Sequence, residues 1–188
     1  MNATSTLASL TISRKFVILG IVMGILLTIS IGASLFSQRQ LSKALGNVAV
    51  TGQAQANFME GDMMHDALKG DVLTALLVSS GEKFSDAKSV NEDVTEHSTA
   101  FLNTLRENQT LPLDKAIKNQ LTAVEVPLRA YIASAKHLVS VAFENRDAAL
   151  KLFPEFQKAF KALEESQEKI GDDLEKSVIA MRAAAERT

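Results

Sequence analysis

The chain contains no cysteine and no tryptophan, only three prolines and one tyrosine, and 5% aromatics in all. Without cysteine there is no disulfide framework and no thiolate-held metal, a composition that an oxidising compartment accommodates. A formal charge of -2 with both signs interspersed gives no basic field. With so few stacking side chains, that argues against a nucleic-acid partner. The sequence also lacks a glycine-rich phosphate loop, a nucleophile elbow, an HExxH pair and a kinase signature. Nothing in it supports catalysis or a cofactor, so an enzyme is not expected.

What is present begins with FVILGIVMGILLTISIGASLF, residues 16–36, which carries no charge. At ~1.5 Å per residue it spans about 30 Å, the thickness of the hydrocarbon core of a bilayer. We read it as a transmembrane helix. The competing reading, a cleaved signal peptide after Arg14 and Lys15, requires a shorter apolar core of about 7–15 residues. Arg14 and Lys15 on one side are nearly matched by Arg39 and Lys43 on the other. The short tail holding only two basic residues, set against a long segment that is acidic overall, places residues 1–15 in the cytoplasm and 37–188 outside it.

After residue 36 there is almost no strand signal, and alanine, leucine, lysine, glutamate and glutamine dominate. The expectation is an all-α domain. Ser79-Ser80-Gly81 supplies a flexible stop, with Ser85 as N-cap of the next helix. Asn108 to Pro112 is a second break, where Thr110 can cap and Pro112 suits a first turn. Glu144 to Asp147 is the third, capped by Asn145 or Asp147. Four helices result, roughly 37–80, 84–107, 112–144 and 147–186, the first continuous with the membrane helix. In the fourth, Phe153, Phe156, Phe160, Leu163, Gln167, Ile170, Leu174, Val178 and Met181 recur every three or four residues, an amphipathic packing seam. Pro154 is expected to delay its regular part, leaving 147–152 as a separate turn. Ile117, Leu121, Val124, Leu128 and Ile132 form the seam of the third, where Pro127 should introduce a kink.

The outer helices run about 40 residues, near 60 Å, and the middle two about 25–33, near 40–50 Å. In an up-down-up-down four-helix bundle with short loops, the outer pair then extends beyond the inner pair at one end. With helix 1 continuing from the membrane span, that end faces the bilayer. A last helix returning toward the membrane and stopping at Ala-Ala-Ala-Glu-Arg-Thr reads as the stump of a longer protein.

The stretch DMMHDALKGD, residues 62–71, sets Asp62, His65, Asp66 and Lys69 within about 100° of the face that carries Phe58, Val72 and Leu76. Burying such charges alone costs several kcal/mol each. One reading is a structural layer in which Asp62, Asp66 and Lys69 satisfy one another. A second is a homodimer seam with polar residues setting register. A third is a pocket for a small polar ligand. Metal binding by His65 with Asp62 and Asp66 lacks a second nearby histidine, so no metal is expected. Arg106, Arg129 and Arg146 can each fork a carboxylate, and Arg129 joins the candidate ligand-binding or interface residues. His97 and His137 stand alone among polar residues.

A basic tail, one span and a four-helix bundle with long outer helices together resemble the sensory half of bacterial methyl-accepting chemotaxis receptors. MMHDALKGDVLTALL (63–77) is similar to the first-helix segment of their four-helix-bundle sensors, and NRDAALKLFPEFQKAFKALEE (145–165) to the start of the last helix. The resemblance covers about residues 12–188. It implies a homodimer in the inner membrane with a periplasmic sensory domain, and a ligand, a carboxylate among the candidates, bound near the dimer interface. Binding there biases a small displacement of the last helix. It also implies a cationic residue of helix 1 at the ligand, a description Lys69 matches by location. The second span, HAMP linker and signalling hairpin of that family are not found in these residues. Histidine kinases and cyclases carry similar modules, and a membrane-anchored interaction module without a small ligand is the remaining alternative.

Overall fold

The computed structural model describes residues 11–185, and no strand occurs among the described residues. The helices are α1 (Ile12–Val78), α2 (Ala87–Thr110), α3 (Lys115–Ala123), α4 (Glu125–Glu144) and α5 (Arg146–Ala185). The chain is therefore all-α. Most of the tail expected over 1–15, and the terminal residues 186–188, lie outside the described residues.

Asn47–Ala183 forms a compact unit of its own, and the helical residues before it belong to a second. In that second unit the chain is helical from Ile12 to Gly46, with nearly every side chain exposed. An 18-residue window there has a mean hydropathy of 2.6 and none of it is buried, so this segment is long and apolar enough to cross a membrane. The hydroxyl of Thr28 donates to the carbonyl of Gly24 at 2.8 Å and so is satisfied within the helix.

The helix ends of the larger unit follow local chemistry. α1 stops at Ser79–Gly81, where Gly81 takes φ +105 and its amide donates to the Val78 carbonyl at 3.0 Å. A side chain there would be strained, which is why glycine ends the helix. The cap of α2 is Asp86, one residue beyond the expected Ser85: its carboxylate accepts from the Ser89 amide at 2.8 Å. Thr110 closes α2 instead of opening the next helix, its hydroxyl donating to the Glu107 carbonyl at 2.7 Å. Asn145 serves two helices. Its amide donates to the Val141 carbonyl at 2.7 Å, and its Oδ1 accepts from Ala148 at 3.1 Å, capping α5 as expected.

The two prolines inside the helical runs act differently from each other. Pro127 falls in the first turn of α4, and the interruption lies upstream at Val124. The proline ring crowds the carbonyl four residues before it, that of Ala123, so the ladder breaks at this point. Pro154 neither delays α5 nor splits off a turn; the helix runs unbroken from Arg146. Pro154 and Leu150 both lie on the exposed side, so the Leu150 carbonyl deprived of its amide partner can be hydrated.

The packing seams are those the periodicity indicates. Phe156, Phe160, Leu163, Gln167, Ile170 and Leu174 of α5 are buried, as are Ile117, Leu121, Val124, Leu128 and Ile132 from the α3–α4 stretch. Contacts order the helices against each other. The Asn108 amide donates to the Ala54 carbonyl, and His97 meets Asp71, so rising positions on α1 meet falling positions on α2. Thr51 donates to the Met181 sulfur at 3.1 Å and His65 stacks on Phe160, the same crossed order between α1 and α5.

Candidate functional site

The side chains singled out between 62 and 69 do not share one environment. His65 is buried, Lys69 is half-buried, and Asp62 and Asp66 are exposed. Taking His65 as zero on a helical wheel, the buried residues of α1 spread from about -120° (Asp71) to about +40° (Thr51), so the inward stripe is centred near -40°. Asp62 and Asp66, at about +60° and +100°, fall beyond its edge. Leu73, at about 80°, is likewise exposed. The expected layer in which the two carboxylates and Lys69 satisfy one another does not form. Nor, among the described residues, is any group of three His, Asp or Glu placed to hold a metal ion.

His65 instead joins an aromatic cluster drawn from α1, α2, α4 and α5. Its ring stacks on Phe160 with centroids 4.0 Å apart and planes 11° apart. Tyr131 meets it edge-on at 5.0 Å and Phe101 lies at 6.3 Å. Tyr131 also donates its hydroxyl to the His65 carbonyl at 2.8 Å, tying α4 to α1. Lys69 sends its ammonium over the Phe160 ring, 4.1 Å from the centroid, a cation–π contact and not an ion pair. The His65 Nε2 is buried without a hydrogen-bond partner.

Burial pulls the His65 pKa below 6.5, opposed by the Asp66 carboxylate, the Phe160 backbone, and the Asp62 and Glu164 carboxylates. Burial thus favours the neutral imidazole. For Tyr131, burial raises the phenol further above its ordinary range, reinforced by the charges of Asp66 and Asp71.

The charged group that the helix does bury is one the sequence pattern did not single out. Asp71 lies at the inward edge of α1, and its carboxylate meets His97 Nδ1 of α2 at 2.8 Å. Burial raises its pKa, while the hydrogen bond and charge of His97 lower it and Asp93 raises it. Asp71 is six residues from His65, off the stripe as drawn around that histidine, so only the width of the packed face brings it in. Arg129, by contrast, lies on the exposed side of α4. It grips Glu125 one turn earlier, with Nε at 2.9 Å and Nη2 at 2.7 Å from the same oxygen. It is not brought near His65 or Lys69 by any contact.

α1 also carries a second apolar stripe. Gly52, Ala56, Met59, Met63, Asp66, Gly70, Leu73 and Leu77 follow one another at alternating steps of four and three, and all are exposed. Met59 and Met63 are 60% and 64% exposed. A Cβ added at Gly52 or Gly70 would meet nothing within 4 Å, so no other part of the described unit covers this stripe. On the wheel it centres near +120°, about 160° from the inward one.

Comparison with protein-family models, with curated proteins and with solved structures finds no match in any of the three.

Proposed function

We propose that this chain is the transmembrane and periplasmic portion of a bacterial sensory receptor of the chemotaxis type, working as a homodimer in the inner membrane. In this reading the exposed apolar residues near the N-terminus face lipid. Residues from Asn47 onward form an up-down-up-down four-helix bundle, for which the crossed order of contacts of α1 with α2 and with α5 is the support. The bundle detects a small polar molecule, a carboxylate among the candidates, and a displacement of α5 relays binding to a cytoplasmic signalling domain. No enzymatic step is part of it.

The observation that carries the reading is the second stripe of α1. A helix packed into a monomeric bundle needs one apolar face, and this one has two. A four-three spacing sustained over residues 52–77 is the pattern that packs helix on helix, and glycine or alanine at positions 52, 56 and 70 allows close approach. The fitting occupant is the same stripe of a second copy about a twofold axis. Asp66 then sits in the seam as the polar position that sets register.

The test is disulfide trapping in membranes of the full chain carrying Met63→Cys. Rapid dimer formation, lost when Met59→Lys is added, is the expected outcome. A monomer that does not cross-link would sink the homodimer. Ligand sensing is tested separately by thermal shift of the purified full chain against organic acids, amino acids and inorganic ions. A dimer that no compound shifts would favour the rival reading, a membrane-anchored interaction module.

A further inference from the structure

The Asn47–Ala183 unit holds a partly open cavity of about 30 Å³ lined mainly by apolar side chains, among them Phe58, Phe101 and Leu163. Three amides also line it, Asn57 of α1, Asn108 of α2 and Gln167 of α5, and all three residues are more than nine-tenths buried. Each has one buried atom without a hydrogen-bond partner: Asn57 Nδ2, Asn108 Oδ1 and Gln167 Oε1. The other end of both asparagines is anchored. Asn57 Oδ1 accepts from Gln53 Nε2 at 2.7 Å, and Asn108 Nδ2 donates to the Ala54 carbonyl at 3.0 Å. The bond to a backbone carbonyl fixes the Asn108 amide, leaving its Oδ1 as the free end, and as placed the three residues lining the cavity leave one N–H donor and two carbonyl acceptors unpaired.

Buried polar atoms are nearly always paired, and three exceptions around one cavity call for a common partner. About 10–15 Å³ is enough to hold one water, and about 30 Å³ is too little for a metabolite. The partner must accept one hydrogen bond and donate two. Water does so with its two hydrogens and one lone pair, making the three bonds typical of an interior water. An ammonium ion has no lone pair to offer Asn57 Nδ2, and a larger hydroxyl compound exceeds about 30 Å³.

We infer that the cavity is a binding site for a single ordered water molecule, which accepts from Asn57 and donates to Asn108 and Gln167, thereby linking α1, α2 and α5. This site is independent of the sensing proposal. Because the water touches one residue on each of three helices, sliding α5 along α1 must break or remake its bonds.

A crystal structure of the full chain, at a resolution that shows ordered solvent, tests this directly. The expected result is one density peak about 2.7–3.2 Å from all three amide atoms. No peak, or amides turned to pair with one another, overturns it. Magnetic relaxation dispersion of water in solution provides a second measurement: the full chain should show one more long-lived water than the Asn57→Leu/Asn108→Leu/Gln167→Leu variant. Equal dispersion from a folded variant also overturns the inference; if that variant does not fold, the density in the unaltered chain decides.

Discussion

Lowering the pH should destabilise the larger unit through His65, and the effect can be isolated by comparing the protein with His65→Leu, a substitution of similar volume. In the folded state burial holds the imidazole below its ordinary 6.5. Below that pH the unfolded chain binds a proton that the folded chain refuses, so stability is fully present above about 6.5 and is lost as pH falls through the folded value. One proton gives a slope of at most ~1.4 kcal/mol per pH unit. Asp71 contributes with the opposite sign: its raised pKa makes the folded state bind more protons than the unfolded one in acid. Only the difference between the two proteins therefore reports on His65. Denaturant titrations of the full chain in detergent, at steps from pH 7.5 down to 5.5, should show the unaltered protein losing up to about 1 kcal/mol relative to His65→Leu. A difference that stays flat, or grows in favour of histidine in acid, would refute the reasoning. It would mean that Asp66, Asp62 or Glu164 swings in to pair with the imidazolium, restoring the ionic layer that the observed side-chain positions lack.

Three further outcomes are expected. A Cβ at Gly61 would come within 3.2 Å of the Phe101 ring and of Thr104 Oγ1, so Gly61→Ala should cost about 1–3 kcal/mol by overpacking, read as a lower midpoint in the same titrations. Tyr131→Phe removes the bond to the His65 carbonyl and should cost about 1 kcal/mol while leaving the stacked rings in place, read as a lower midpoint in the same titrations. Asp86→Ala deletes the cap of α2 and should cost ~1 kcal/mol, with faster hydrogen exchange confined to the first turn of α2.

Reading the residues in order recovered most of the local structure. Gly81 ends α1 because only glycine takes its φ cheaply, Asn145 caps α5 with an atom of its own, and the seams of α3, α4 and α5 are the ones whose spacing matches the helical period. The errors came where neighbouring peptide units or exposure decide. Ser85 and Asp86 are both competent caps, and the backbone chose the second. Proline's effect depended on its place: in a first turn Pro127 moved the break to Val124, and on an exposed face Pro154 was absorbed.

For the candidate site the division is sharper. The sequence by itself determined that the chain is helical and that its N-terminal stretch is apolar enough to span a bilayer. Those properties rest on composition and period, which belong to consecutive residues. Only the tertiary structure decided how α1 is rotated about its axis. A turn of about 40° relative to the stripe drawn around His65 moves Asp62 and Asp66 out to solvent and brings Asp71 in against His97. The same packing brings Asn57, Asn108 and Gln167, far apart along the chain, to one cavity. Periodicity fixes which residues share a stripe, but the direction that stripe faces depends on partners contributed by other helices.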